Sequence, residues 1–429
     1  MHVSKEQSKE NPRQQAVVII HDWIQTHNFP DRTLNTVTSG HAFVMEIVLG
    51  IVRYHRTLSW IIGQMLAKTP RTELVAVLEV GLYQILFMDN AEDYASIHET
   101  VELVKSTGSP QEVCFVNALL RRAQREKEEI KRSIKQQPIG IQYSYPDLLT
   151  RRWKDQFGER NMRLLCEWNN RPAETVLRIN RRRTNLSDFQ TLLSASNITA
   201  QPHPFMPREC LILSRGLNVR NIPGYEEGMF YVQNPATTVA VKLLDVQSGQ
   251  TILDACAAPG GKMCVMAERL QNQGQLIALD LYEDRLAFLR NNVKRLRLEN
   301  VRVQQADATG QKDDFIKKLN LQFDRILLDV PCTNTGVIRR RPDVRWRFSL
   351  KRMQGLMGIQ KALLNHTSTF LKSGGKLVYS TCSLESEENE EFIQGWLNEH
   401  PELRFAKAKK IFPPRTSTDG AYAVLLEKK

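Results

Sequence analysis

From Pro12 to about Gln136 the apolar positions return at helical spacing: Phe43, Ile47 and Ile51 stand four apart, as do Val77, Gly81 and Ile85. No β-alternation of any length interrupts this stretch. Asn28-Phe29-Pro30, Lys68-Thr69-Pro70, Asp89-Asn90 and Gly108-Ser109-Pro110 punctuate it as turns between helices, so residues 1–138 are predicted to form an all-α bundle. Ser109 is suited to cap the last long helix, with Pro110 in its first turn. A charged helix is expected over Arg121–Gln136, with the exit from the domain at Pro138 and Gly140.

Over residues 139–232 the pattern becomes mixed, with a strand expected at Thr175–Asn180 and a helix at Leu186–Ser196, which predicts a small α+β connecting domain. Residues 233–429 read differently again. Short apolar runs at Thr251–Ala255, Leu276–Asp280, Val301–Gln305, Phe323–Leu328 and Lys376–Ser380 alternate with helix-length segments, the pattern of an α/β domain with a parallel, doubly wound, Rossmann-like sheet. There is no internal repeat and no low-complexity tract.

At 429 residues, 41% hydrophobic and 25% charged, the composition is that of a soluble globular protein of two or three domains. The longest apolar stretch, Val75–Met88, is broken by Glu79 and Gln84 and is too short to span a bilayer. Met1–Gln7 lacks the apolar core of a secretory signal, so a cytoplasmic chain with no membrane partner is expected; a monomer is expected as well. Seven scattered cysteines form no CxxC pair, which removes the usual pattern for zinc or a dithiol. The formal charge of +12 points to a polyanionic partner. Residues 127–183 hold fourteen Lys or Arg against seven Asp or Glu, although a basic run is as often a solvated face.

The chemistry gathers in the third segment. Its first strand gives way to Cys256-Ala257-Ala258-Pro259-Gly260-Gly261-Lys262, small residues that let the backbone approach a ligand at the carboxyl end of the sheet. The spacing is neither GxGxxG nor GxxxxGK[ST], so dinucleotide and P-loop readings fail. Asp280 ends the second strand, where a carboxylate can bind a ribose diol, and Asp307 follows the third, within reach of an adenine edge. One acidic residue at a strand end is more often a helix cap; three in register with a glycine loop are harder to dismiss. Asp329-Val330-Pro331-Cys332 and Ser380-Thr381-Cys382-Ser383 each stand at the end of a predicted strand. Packed core thiols are the bland reading of two cysteines, but these two sit among turn-forming polar residues where such a sheet places its active site. Carbon 5 of cytosine is too poor a nucleophile to attack a methyl sulfonium until a nucleophile has added to carbon 6. A second group must then assist loss of the carbon 5 proton, so two thiols and a carboxylate meet the needs of that reaction.

Residues 233–429 resemble the catalytic domain of RNA 5-cytosine methyltransferases, which carry DACAAPGGK, a Pro-Cys motif and a Thr-Cys motif in this order. Gly336–Asp343 and Thr381–Asn389 extend the match. Residues 12–125 resemble the RNA-binding fold of the antitermination factor NusB, notably over Glu99–Lys105 and Phe115–Arg121. That fusion is similar to the bacterial small-subunit ribosomal RNA methyltransferase B family and covers nearly the whole chain. The resemblance implies S-adenosyl-L-methionine as cofactor and a cytosine of small-subunit (16S) ribosomal RNA as target. It implies Cys382 as nucleophile, Cys332 as the residue that assists product release, and Asp329 as a contact to both cofactor region and base. Cys256 to Lys262, Asp280 and Asp307 match the family's cofactor contacts. Met263, Val330 and Asn334 depart from the commoner family text without removing a reacting group.

Arg339, Arg340, Arg341, Arg345 and Arg347 crowd the stretch after the Pro-Cys motif, with Trp346 among them. Beside a catalytic motif they are expected to grip phosphate while the ring stacks an unpaired base. His55, His98 and His366 are expected to be structural, and Cys114, Cys166, Cys210 and Cys264 packed thiols. Three other readings stay open: the same chemistry on transfer RNA, a non-catalytic antitermination-type RNA-binding protein, and an amino-directed methyltransferase. The last uses an Asp/Asn-Pro-Pro-aromatic motif, for which Asp329-Val330-Pro331-Cys332 has a thiol in place of the ring.

Overall fold

The computed structural model describes residues 11–429 apart from 28–29, 35–36, 38–39, 67, 69, 89–90, 107, 215 and 312–313. The turn residues Asn28, Phe29, Thr69, Asp89 and Asn90, and the Met1–Gln7 segment, lie outside the described residues. The chain divides into two units, Met1–Arg171 with Arg340–Arg347, and Pro172–Arg339 with Phe348–Lys429.

The first unit is helical, with α1 (Pro12–Thr26), α2 (Pro30–Leu34), α3 (His41–Met65), α4 (Thr72–Phe87), α5 (Asp93–Lys105), α6 (Pro110–Arg125), α7 (Lys127–Lys135), α8 (Ile139–Gln142) and α9 (Asp147–Asn170). Helix α4 is buried around nearly its whole circumference, the pattern of a helix enclosed by others, and α1, α3, α5 and α6 pack on it. Its one buried acid, Glu79, meets His55 Nδ1 at 2.8 Å. Ser109 and Glu112 form a reciprocal capping box at the start of α6, which carries Pro110 in its first turn. The charged helix expected from Arg121 is two helices. Helix α6 buries Val116, Leu119, Leu120 and Ala123, α7 buries Ile130 and Ile134, and the chain turns between the two stripes at Glu126 (φ −93°, ψ 11°).

The segment Arg340–Arg347 completes this unit, and here the expected grip on RNA is overturned for Arg345 and Trp346. Arg345 is wholly buried, donates from Nη1 to Arg53 O (3.1 Å), Ser144 O (3.0 Å) and Asn170 Oδ1 (3.0 Å), and lies 3.9 Å from the Tyr145 ring centroid. Trp346 donates to Val52 O (2.7 Å) and packs edge-on against Trp23 and His55. Arg347 pairs with buried Asp343 at 2.5 Å. In the second unit Arg339, also buried, is held by Pro172 O (2.8 Å) and Glu174 (2.7 Å). These groups satisfy protein carbonyls and carboxylates rather than facing outward.

The second unit holds two sheets. Strands β1 (Val176–Ile179), β2 (Ala200–Pro202), β3 (Cys210–Leu213) and β4 (Phe230–Val232) form an antiparallel sheet of order β2-β3-β1-β4. The helix Leu186–Ala195 lays Phe189 and Leu193 on it. Strands β5 (Thr251–Asp254), β6 (Gln275–Asp280), β7 (Val301–Gln305), β8 (Phe323–Asp329), β9 (Leu371–Thr381), β10 (Leu403–Ile411) and β11 (Ala421–Lys428) make the larger sheet, of order β10-β11-β9-β8-β5-β6-β7. Five strands are parallel as expected, but β11 runs antiparallel to both of its neighbours, β9 and β10, so the sheet is mixed. Residues 412–420 are too few for the crossover that a parallel β10–β11 pair needs. Apolar clusters cover both faces, one around Val241, Met263 and Leu286, the other around Leu364, Tyr379 and Trp396. Strand order reverses between β5 and β8, which opens a crevice at their carboxyl ends. Among the described residues no helix is long and apolar enough to cross a membrane.

Helix Gly261–Leu270 carries one acid, Glu268, whose carboxyl burial pushes up to about 7, with Arg178 opposing the shift. Folded protein therefore keeps a proton there over a range in which an ordinary carboxyl, at 4.5, has lost it. The stabilisation is full below the lower value and disappears as pH rises through the upper one. Glu268→Gln is expected to flatten the decline in stability between about pH 5 and pH 8 that this group causes. Urea denaturation at several pH values checks it, and an unchanged slope sinks the assignment.

Candidate active site

Three carboxylates stand at neighbouring strand ends: Asp254 on β5, Asp280 on β6 and Asp329 on β8. The loop after β5 is tied over them. Ala257 N–H donates to Leu279 O (2.8 Å) and Ala258 N–H to Asp280 Oδ2 (3.2 Å), while the other Asp280 oxygen accepts from Tyr282 N–H (3.1 Å). Gly260 takes φ 106°, which side chains rarely adopt, and the helix that starts at Gly261 passes so near Gln233 that a Cβ there would lie 3.2 Å from its amide nitrogen. Lys262 crosses to Asp329 (2.5 Å), whose other oxygen accepts from Ser380 Oγ (2.9 Å). Asp307, beyond β7, accepts from the amide and hydroxyl of Thr309 (2.9 and 2.6 Å).

The electrostatics mark the same place. Burial, then the charges of Asp254, Asp280, Asp329 and Asp307, push the Cys256 thiol well above its ordinary range. Asp254 is buried without a well-formed hydrogen bond; burial first and Asp329 second push its carboxyl up to about 8. Gln233 is buried in the same state at both amide atoms. Buried polar groups are rarely left unpaired in folded proteins, so an acid and an amide in this condition beside a glycine loop mark a site for a polar ligand. The set fits S-adenosyl-L-methionine, whose diol suits Asp280 and whose ammonium suits the surplus of carboxylate.

The two motif thiols meet where the loops after β8 and β9 come together. Cys332 follows β8 and Cys382 follows β9, and their sulfurs are 3.4 Å apart. Cys332 is buried, 3% exposed, while Cys382 is only partly so. The hydrogen bond to Cys382 and then burial hold the Cys332 thiol well above the usual range, with the Cys382 and Glu388 charges adding to the shift. Asn334 sits between the two loops in the left-handed region (φ 63°). Its Oδ1 accepts from Cys382 Sγ (2.7 Å), and its Nδ2 donates to Cys332 O (3.0 Å). Gly336 N–H donates to Cys382 O (2.8 Å), and a Cβ at Gly336 would lie 2.7 Å from that oxygen, so glycine is required by the close approach.

Of the residues singled out for chemistry, the Cys256–Lys262 loop, Asp280, Asp329, Cys332 and Cys382 stand at or just after the carboxyl ends of β5, β6, β8 and β9, and Asp307 follows β7. Five other residues at or near the site, Gln233 among them, were not foreseen. Asn334 was noted only as a departure from family text, though its tolerance of positive φ between two Thr residues was a readable signal. Asp254, Gln360 and Glu388 carry no local signal, because what singles them out is burial among loops distant in sequence. Cys166, Cys210 and Cys264 are buried as expected, and burial pushes each thiol up; Cys114 is exposed.

Comparison with known proteins bears on the whole chain. A family model described as 16S rRNA methyltransferase RsmB/F matches residues 241–426, the NusB family matches 10–125, and an RsmF/B-like ferredoxin-like domain matches 145–220. A protein named probable ribosomal RNA small subunit methyltransferase B from Synechocystis is 33% identical over 91% of this chain and 90% of its own. Its namesake from Vibrio cholerae is 34% identical over 90% and 89%. Among solved structures, PH0851 shares the fold over 97% of this chain and 99% of its own (TM-score 0.79, 24% identity). A methyltransferase homologue from Pyrococcus horikoshii aligns over 68% and 97% (TM-score 0.59, 27% identity). The chain belongs to the ribosomal RNA small subunit methyltransferase B family, whose methyl donor is S-adenosyl-L-methionine.

Proposed function

We propose that this protein methylates carbon 5 of a cytosine in small-subunit (16S) ribosomal RNA through a covalent adduct to Cys382. The observation that carries the reading is the meeting of two thiols, 3.4 Å apart, at the carboxyl ends of adjacent parallel strands and next to Asp329. Cys382 is the more exposed of the pair and the one a base could reach. The target must leave its stack, since carbon 6 is inaccessible within a helix. The Cys382 thiolate then adds to carbon 6 and the displaced electron pair gathers at carbon 5. Bound S-adenosyl-L-methionine supplies a methyl group to that carbon from its sulfonium. The carbon 5 proton is taken up at Cys332, which passes its own proton to the departing Cys382 sulfur, so the pair returns to the ring as the carbon 6–sulfur bond breaks. Cys332, held protonated, can donate to the departing Cys382 sulfur. In this reading Asp329, paired with Lys262 of the cofactor loop and three residues before Cys332, serves both the cofactor and the target base.

In this reading residues 1–138 and 139–232 hold the RNA and residues 233–429 carry out the chemistry. The loop Cys256 to Lys262 with Asp280, Asp307 and Asp329 holds the cofactor. Bisulfite mapping of ribosomal and transfer RNA from cells with and without the gene tests it. One cytosine of the small-subunit RNA should lose its protection when the gene is absent. A lost site in transfer RNA alone moves the substrate, and no lost site in either sinks the carbon 5 assignment.

A further inference from the structure

Behind the two thiols lies a buried network that the chemistry above does not use. Glu388 is 0% exposed and follows the Thr-Cys motif by six residues, yet its carboxylate binds the other cysteine loop. It accepts from Thr333 N–H (2.9 Å) and from the Thr333 hydroxyl, the residue directly after Cys332. Gln360, on the helix Leu350–Ser368 and equally buried, donates from Nε2 to Glu388 Oε1 (3.2 Å) and to Pro331 O (3.0 Å), the residue directly before Cys332. Tyr379 Oη shares its one proton between Glu388 O (2.7 Å) and Gln360 Oε1 (3.0 Å) and so bridges both partners. Thr333 Oγ lies 3.1 Å from Ser383 Oγ, which links the network to the residue after Cys382.

We propose that Glu388, with Gln360, is a positioning residue for Cys332: the two clamp the backbone on either side of that thiol and hold its sulfur against Cys382. The inference rests on the two thiol roles proposed above. A carboxylate suits the place because it offers lone pairs to a backbone N–H, a hydroxyl and an amide at once, and has none of its own protons to place. Burial pushes its carboxyl up while Ser383, Thr333 and Gln360 oppose the shift by hydrogen bonding. Removing it leaves the Thr333 amide without an acceptor and frees the segment Pro331–Thr333. Cys382 is positioned by its own contacts with Asn334 and Gly336, so attack and methyl transfer should persist while resolution of the adduct slows.

The test compares full-length wild type, Cys332→Ala, Glu388→Ala and Glu388→Gln with ribosomal RNA and S-adenosyl-L-methionine. First-turnover methyl transfer and the protein–RNA species that survives denaturing electrophoresis are both measured. Glu388→Ala is expected to accumulate that species roughly tenfold or more over wild type, as Cys332→Ala does, since a displacement of about 1 Å in a reacting group can cost a hundredfold in rate. First-turnover transfer should change much less. Glu388→Gln should restore resolution, because its amide oxygen still accepts from Thr333 and Gln360 and its NH2 can face the Thr333 hydroxyl. A loss confined to overall folding would not separate the two steps or be rescued in this way. If Glu388→Ala does not fold, Thr333→Val keeps the shape, removes one leg of the clamp, and is judged by the same outcomes. Accumulation in Cys332→Ala without any in Glu388→Ala or Thr333→Val overturns the proposal alone. Equal loss of both steps also overturns it. Absence of accumulation in Cys332→Ala removes the role of that thiol and the proposal with it.

Discussion

Cys382→Ala should make no methylated RNA and form no covalent complex, whereas Cys332→Ala should accumulate a protein–RNA species that resists denaturing electrophoresis and depends on S-adenosyl-L-methionine. The difference in kind follows from where each sulfur acts. Without Cys382 nothing adds to carbon 6, carbon 5 stays a poor nucleophile, and no methyl is taken. Without Cys332 the addition and transfer proceed, but the departing sulfur loses the buried thiol that lies 3.4 Å away. Exposure agrees with the assignment, since Cys332 is 3% exposed and held protonated by its contact with Cys382 and by burial. Addition to carbon 6 needs the thiolate, so the Cys382 proton leaves before or as the new bond forms. Gel electrophoresis with labelled RNA and radiolabelled cofactor reads both variants. Trapping in Cys382→Ala and not in Cys332→Ala reverses the roles; normal methylation by both removes the adduct mechanism.

What the sequence allowed one to read depended on whether a residue's meaning is local. Apolar runs located β5 to β9, and their ends placed Asp280, Asp329, Cys332 and Cys382. Strand β10 escaped because it is an exposed edge bearing Arg404, Lys407, Lys409 and Lys410, with little apolar signal between its buried ends Leu403 and Ile411. Helix α9, polar over most of its length and kinked at Gly158 (φ 80°), was absorbed into a mixed region. At the site, Glu388 and Gln360 matter only because residues 331–336, 360 and 381–389 converge, and no periodicity reports that. The arginine run shows the opposite error. Counting charges finds cations but not the backbone carbonyls they meet, and Arg345 and Arg339 meet them inside the protein.

Arg345→Ala is accordingly expected to destabilise the helical unit strongly while leaving the salt dependence of RNA binding unchanged. Arg345 is fully buried, and its Nη1 serves Arg53 O, Ser144 O and Asn170 Oδ1, groups with no access to water once it is gone. Each buried acceptor left unsatisfied costs about 1–3 kcal/mol, so the sum over the site is expected to exceed ~3 kcal/mol. The ring contact with Tyr145 is lost as well. Arg181, exposed after β1, serves as control, and its replacement by Ala should shift stability by no more than ~0.5 kcal/mol. Removal of a true phosphate contact would instead lower the slope of log affinity against log salt by about one while sparing stability. Urea denaturation and RNA binding at several salt concentrations, the latter at a temperature where the variant is folded, separate the two outcomes. Unchanged stability with a reduced slope would falsify the buried role and restore the phosphate reading. The same contacts argue against truncation as a probe of the helical unit: deleting residues 1–138 strips Arg53 O from Arg345 and Val52 O from Trp346, and would unseat the segment that follows the Cys332 loop rather than merely remove an RNA-binding surface.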